Sequence, residues 1–136
     1  MANDPDLELQ GAIVARLKAD PDVAALVGPR VYDMIPKEAP FPYVSYGPSD
    51  MLSDDAECID GFNVAIQLDV WSRAVGTPEA KRIGNAVRRA LHDVELTLPT
   101  NAFVSLRHLQ SRTFRDPDGL TSHRIIAFES IVEQPG

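Results

Sequence analysis

The residues weighed as candidates for catalysis or metal binding are Cys58, Asp69, His92, His108 and His123. A histidine beside a carboxylate can transfer protons near neutral pH, and histidine and cysteine are the usual zinc ligands. Because the chain has one cysteine, a cysteine-built zinc site and an intramolecular disulfide are both excluded. No G-x-S-x-G, H-E-x-x-H or phosphate-binding glycine loop occurs. Catalytic motifs therefore do not indicate an enzyme.

A C-terminal β-hairpin would decide whether two of the histidines can act together. Residues 116–119, Asp-Pro-Asp-Gly, predict a tight turn, because proline sets the first central dihedral and glycine accepts a positive φ. A hairpin centred near residue 118 places His108 opposite Phe128 and His123 opposite Thr113. The two imidazoles would not face each other. We therefore predict no metal site, no catalytic histidine pair and no cofactor.

The other candidates have ordinary structural explanations. His92 ends a predicted helix, where the dipole favours an imidazolium. Asp69 stands near Trp71 and Arg73, so an ion pair on the solvated face is favoured over a general base. Cys58 has acidic neighbours, which oppose formation of a thiolate. A small enzyme or ligand-binding domain using Asp69, His108 and His123 remains the alternative, and a deep pocket holding them would identify it.

Apolar spacing predicts the helices that would position these residues. Leu9, Ile13 and Leu17 fall on one face of a helix over 7–19. Asp20-Pro21 ends that helix and begins a short second one, which Gly28 terminates. A long helix begins with a hydroxyl cap at Thr77 and runs to about residue 92.

The strand signals alternate with these helices. Strands are predicted over 30–35, 43–46, 62–70, 103–114 and 120–132, and the third has the clearest period of two. Residues 50–60 contain five acidic and no basic residues, which predicts an exposed loop over about 49–61. We predict a single α+β domain over 1–136 with flexible termini at about 1–5 and 134–136. Its mainly antiparallel sheet has about four to five strands, two main helices on one face and a long terminal hairpin.

Charge is distributed unevenly along the chain. Residues 1–68 contain four Lys or Arg and twelve Asp or Glu, whereas residues 69–136 contain nine and eight. An acidic chain has no general attraction for phosphates, so the composition predicts no sequence-specific DNA binding. Such polarity suits contact with a different surface on a neighbouring copy.

Seven short segments carry a resemblance to a known family: 9–20, 23–28, 30–33, 42–44, 68–73, 87–92 and 115–119. Their order, over about residues 7–133, resembles the tail-completion (tail-terminator) family of long-tailed phages, prophages and gene transfer agents. The resemblance implies a structural virion protein that forms a ring, usually of six copies, on the head-proximal end of the tail tube. It carries over no catalytic residues. Another neck or adaptor protein of the same assembly is the close alternative.

The resemblance also implies partners and a place in the particle. The partners would be sibling subunits, the major tail tube protein and the head connector, in the virion tail after assembly in the host cytoplasm. Phage DNA would cross the lumen without sequence-specific binding, and we expect an acidic lining to let it pass.

Candidate interface residues follow from the need for unlike, complementary edges. Arginine forks suit carboxylates, so a basic surface of one copy could meet the acidic loop of the next. The acidic candidates are Asp54, Asp55 and Glu57. The basic candidates are Arg82, Arg88 and Arg89 on the long helix and Arg107, Arg112 and Arg115 near the hairpin.

Overall fold

Three helices cover one face of a five-stranded sheet in the computed structural model, which describes residues 2–56 and 59–135. The α+β prediction is confirmed. None of the helices in the described part of the chain is long and apolar enough to cross a membrane. In chain order the elements are α1 (Pro5–Ala19), α2 (Pro21–Val27), β1 (Val31–Tyr32), β2 (Tyr43–Ser53), β3 (Asp60–Ser72), α3 (Pro78–Leu91), β4 (Ala102–Arg115) and β5 (Ser122–Gln134).

The strand order across the sheet is β1-β2-β3-β5-β4. β1 pairs with β2 in parallel, and the other neighbours are antiparallel. β4 therefore forms one edge of the sheet. β1 contains two residues, which pair with Val44 and Ser45, so it covers the outer edge of β2 only near the start of that strand.

Local chemistry explains both ends of α2 and the start of α3. The Asp20 carboxylate caps α2 by accepting hydrogen bonds from the Asp22 and Val23 amides at 2.9 and 3.0 Å. Gly28 ends α2 with a φ of 58°, a conformation that glycine adopts without strain. The predicted hydroxyl cap at Thr77 is wrong, because that side chain makes no capping hydrogen bond. Pro78 in the first turn and the Glu79 carboxylate near the positive helix end remain as the start signals.

The core lies between the helices and the sheet. Val64, Ile66, Leu68 and Val70 alternate along β3 and are at most 2% exposed, which confirms the period-two prediction. Residues between them, such as Ala65 and Asp69, therefore belong to the sheet face that no helix covers, called the uncovered face below. The largest fully buried side chains are Phe128, Leu9, Ile13, Leu17, Leu68, Ile83, Leu91, Leu106 and Ile126.

The predicted loop over 49–61 is wrong at both ends. Ser49–Ser53 continue β2, and Asp60 and Gly61 already belong to β3. Ser49 pairs with Ile66 and Ser53 with Phe62. Hydrogen bonds to the strongly alternating β3 therefore hold residues 49–53 in a strand. Local composition does not show such long-range pairing. Glu57 and Cys58 lie outside the described residues.

Candidate functional site

The two ends of the strand order carry opposite charge: the β2 end of the sheet is acidic and the β4 end is basic. The β2–β3 hairpin presents Asp50, Asp54, Asp55 and Asp60, all exposed, and we call these four residues the acidic hairpin. On the other side, β4 presents exposed Arg107, Arg112 and Arg115, which we call the arginine edge. Because β3 and β5 lie between β2 and β4, the structure keeps the predicted acidic and basic residues apart within one subunit.

The strand register shows which way the arginine edge points. Arg107 lies opposite Glu129 and Arg112 opposite Ile125 on β5. Ile125 in turn pairs with Asp69, so both arginines belong to the uncovered face. Arg115 lies opposite Ser122 and belongs to the helix-covered face. Within the described residues, Arg112 and Arg115 form no ion pair, which leaves both charges available to a partner.

The arginines of α3 form a separate basic region above the sheet. Arg82 and Arg89 are exposed, whereas Arg88 is half-buried and donates to the Asn85 side chain at 2.9 Å. Beneath the helix lies Arg124, which donates to Thr113 Oγ1 at 2.7 Å. Burial lowers the pKa of Arg124, and the nearby Arg88 charge lowers it further. Sequence analysis did not single out Arg124, since its position under a helix depends on long-range packing.

The free edge of β4 is blocked over part of its length. The Leu106 carbonyl accepts a hydrogen bond from the Asp93 amide at 2.9 Å, and the His108 amide donates to His92 Nδ1 at 3.0 Å. His92 also lies 3.1 Å from the Asp93 carboxylate. The segment after α3 therefore satisfies backbone groups that a partner strand would use. This capping role of His92 was not apparent from its helix-terminal position.

The register of the C-terminal hairpin corrects one prediction. His108 pairs with Phe128 as predicted, but His123 pairs with Phe114 rather than Thr113. An irregularity between His108 and Gln110 adds one residue to β4, and this shifts the pairing nearer the turn by one position.

Asp69 is buried rather than on a solvated surface, which corrects the expectation of an exposed ion pair. Its carboxylate is 2.7 Å from His123 Nε2 and accepts from Gln67 Nε2 at 2.9 Å. The two residues of the pair are 6% and 9% exposed. The His123 ring stacks on Trp71, with centroids 3.8 Å apart, and the Phe114 ring centroid lies 4.8 Å away.

Of the three residues in the enzyme alternative, the structure brings together Asp69 and His123 but not His108. His108 lies on the helix-covered side, 2.8 Å from Ser111 Oγ. Burial lowers the pKa of His108, and the Arg88 charge lowers it further. In the buried pair, the Asp69 carboxylate is bonded to one imidazole nitrogen of His123, and the Trp71 ring covers one face of that imidazole. Among the described residues, no three His, Asp or Glu side chains cluster as metal ligands would.

Comparison with known proteins identifies the family of this chain. Residues 11–133 match the family model described as tail completion protein gp17. The chain belongs to this family. A curated relative, the tail completion protein gp17 of Bacillus phage SPP1, is 28% identical over 118 residues, which cover 87% of each chain.

A solved structure agrees with the family assignment. A chain from a structure titled "Virion of native gene transfer agent (GTA) particle" superimposes with a TM-score of 0.89 at 30% identity, covering 97% of this chain and 99% of that one. The resemblance noted in the sequence is thereby confirmed. The protein is a structural tail-completion protein of the virion tail, where it assembles with other phage proteins.

Proposed function

We propose that copies of this tail-completion protein form a closed ring on the head-proximal end of the tail tube, which stops tube growth and joins the tail to the head. The observation that carries the proposal is the separation of the acidic hairpin and the arginine edge on opposite sides of one sheet. A head-to-tail interface that closes by rotation requires two unlike, complementary surfaces.

In this ring, the acidic hairpin of one copy meets the arginine edge, or the α3 arginines, of the next. Exposed ion pairs contribute only about 0–1 kcal/mol each, so the charges mainly select orientation and register. Exposed apolar side chains lie beside both charged surfaces: Leu52 is 68% exposed on β2, and Leu109 is 49% exposed on β4. Their burial would contribute about 25 cal/mol for each Å² of apolar area.

The other partners are the major tail tube protein and the head connector, and we expect six copies in the ring. Helices cover one sheet face, which leaves the uncovered face available to line the lumen. Asp50 and Glu129 stand on this face with Arg107 and Arg112. Such a surface has no uniformly basic stripe that would retain DNA during ejection.

We further propose that the protein acts without converting a substrate. The support is the state of the Asp69–His123 pair, which is buried and bonded internally. The tail-completion family to which the chain belongs is structural.

Deletion of the gene in a particle-producing genome tests the role. We expect tails of uneven length and unattached heads by electron microscopy, with loss of infectivity or gene transfer that the wild-type gene restores. Deletion particles with attached tails of normal length would overturn the proposal. A reconstruction of intact particles should show the density at the head-proximal end of the tube. Density on the head side of the neck would favour an adaptor.

A further inference from the structure

In the part of the chain that the structure describes, two segments of seven residues each, at opposite edges of the sheet, are free of backbone partners on their outer side. One is residues 47–53 of β2, beyond the two residues that β1 covers. The other is residues 109–115 of β4, beyond the segment that His92 and Asp93 cap. Outside the strand pairs themselves, no backbone hydrogen bond within the described part of the chain involves either segment. Unpaired strand edges of this kind readily accept another strand.

We propose that neighbouring copies in the ring join by antiparallel strand pairing between residues 47–53 of one copy and residues 109–115 of the next, with Asp50 opposite Arg112. This inference rests on the proposed ring and specifies its interface. The partner is a second copy of this chain. Charge complementarity supports that choice, since the β2 segment carries Asp50 and the β4 segment carries Arg112 and Arg115.

The strand register excludes pairing without an offset. Asp50 pairs with Ala65, Ala65 with Glu129 and Glu129 with Arg107, so these residues form one row across the sheet. Copies placed side by side without an offset would bring Asp50 of one against Arg107 of the other. The backbone on either side of Arg107, at Leu106 and His108, is already bonded to the segment after α3. A shift of the partner strand along β4 towards Arg112 avoids this bonded segment and reaches the longer free part of the strand.

The required offset has the size that a closed ring of tilted strands needs. Arg107 and Arg112 pair with Glu129 and Ile125, so the move corresponds to four residues of β5, about 13 Å at 3.3 Å per residue. One subunit contributes four strand spacings, about 19 Å across the sheet. Their ratio gives a strand tilt of about 35°, at the lower end of the 35–45° typical of closed barrels. The capped edge and ring closure thus favour the same register.

Side-chain placement fits this register as well. Asp50 shares the uncovered face with Ala65, and Arg112 shares it with Ile125 and Asp69. Residues directly opposite in an antiparallel pair project from the same face, so the carboxylate and the guanidinium would meet. Leu52, two residues along β2, would then lie opposite Gln110 and lose much of its exposure.

Disulfide formation between copies tests the register. The experiment uses a Cys58→Ser background, which removes the native thiol. In that background, Asp50→Cys/Arg112→Cys is compared with the control Asp50→Cys/Arg107→Cys. Directly opposite residues in an antiparallel pair have Cα atoms about 4.5–5.5 Å apart, within the range that a disulfide spans. In oxidised particles, we expect the first pair to give a ladder of covalent multimers that a reductant removes. The control pair should remain monomeric on the gel.

Two outcomes would overturn the proposed pairing of Asp50 with Arg112. One is a ladder from the Arg107 control. The other is the absence of any ladder in particles that contain normal amounts of the protein and have normal tails. In that second case the ring proposal survives, because it depends on the deletion phenotype and not on the cross-link.

Charge exchange provides a test that does not depend on cysteine chemistry. We expect Asp50→Arg and Arg112→Asp each to lower the yield of functional particles at least tenfold, and the double variant to recover most of it. Both sites are exposed, and thermal unfolding of the purified variants checks that each still folds. Folded single variants with wild-type yield, or a double variant no better than the singles, would contradict the proposal.

Discussion

The carboxylate of Glu8, on α1, holds the segment that leads into β4. It accepts hydrogen bonds from the Thr100 amide and hydroxyl and from the Asn101 amide and side chain, at 2.6–3.1 Å. Burial would raise the pKa of Glu8, but these hydrogen bonds lower it to about 2. Asn3 and Pro5 lie nearby: the Asn3 carbonyl accepts from Asn101, and Pro5 already belongs to α1. The region predicted to be a flexible terminus therefore contains specific contacts.

The lowered pKa predicts a pH dependence. Because the folded-state pKa of Glu8 is below its ordinary value of 4.5, its stabilisation is complete above about pH 4.5 and is lost as the pH falls towards 2. We expect Glu8→Gln to lower the free energy of unfolding at pH 7 and to flatten its decline between pH 4.5 and 2. Urea denaturation at several pH values measures this. Glu95→Gln, at an exposed position, is the control, and parallel curves for Glu8→Gln and wild type would contradict the prediction.

The Asp69–His123 pair predicts a different kind of loss. His123→Phe keeps an aromatic ring against Trp71 but leaves the buried carboxylate without the imidazole. We expect the free energy of unfolding to fall by about 1–3 kcal/mol, the cost of a buried polar group that loses its partner. Adding Asp69→Leu should restore part of the loss. Urea denaturation gives the comparison, and a single variant as stable as wild type would show that the hydrogen bond contributes nothing.

The sequence identified the charged residues, but it did not predict which side chains they contact. Asp69 alternates with apolar residues, so its side of the strand was predictable. Its burial was not, because the covering ring of His123 comes from β5, which is distant in the chain and pairs with β3 only in the fold. The presence of Trp71 on the same face was the one local sign that this surface is not simply solvated.

At the scale of elements, the Arg124 side chain of β5 lies directly against α3 at Gly84. A Cβ atom at Gly84 would overlap Nε and Cδ of Arg124, whereas a Cβ atom at Gly11 on α1 would meet nothing within 4 Å. The glycine in α3 is therefore required by packing, and the one in α1 is not.

The two glycines form a matched pair of substitutions. We expect Gly84→Ala to destabilise the fold by about 1–3 kcal/mol, because overpacking forces the half-buried Arg124 side chain or the helix to move. Gly11→Ala should stabilise it by about 0.5–1 kcal/mol, since alanine is the better helix former at an open site. Thermal or urea unfolding measures both. Equal effects of the two substitutions would contradict this account of α3 packing.

Elements with a complete local signal were the ones that sequence predicted well. Three such signals are local: the Asp20-Pro21 helix boundary, the alternation of β3 and the turn before Leu120. In each case the residues that cause the structure lie within the element itself, and each element is present in the structure. The distal half of β2 has no such signal, since its hydrogen bonds depend on β3. The strand order also depends on long-range pairing, and for that reason the two unlike edges emerged only with the fold.

For the whole molecule, weak lateral contacts predict a subunit that is monomeric when isolated. Exposed ion pairs contribute about 0–1 kcal/mol each, and association costs about 4–15 kcal/mol in lost freedom. The tube end would offset that cost by holding several copies together. Sedimentation at increasing concentration should show a monomer, and a stable dimer would contradict the prediction.

The cap that His92 and Asp93 place on β4 also bears on solubility before assembly. If the whole strand were open, identical chains could stack flush, edge to edge, into flat ribbons that lengthen without limit. Blocking the backbone on either side of Arg107 disfavours that arrangement and favours the offset contact, which allows a ring to close. The same two residues would thus protect the cell from fibres while the particle is being built.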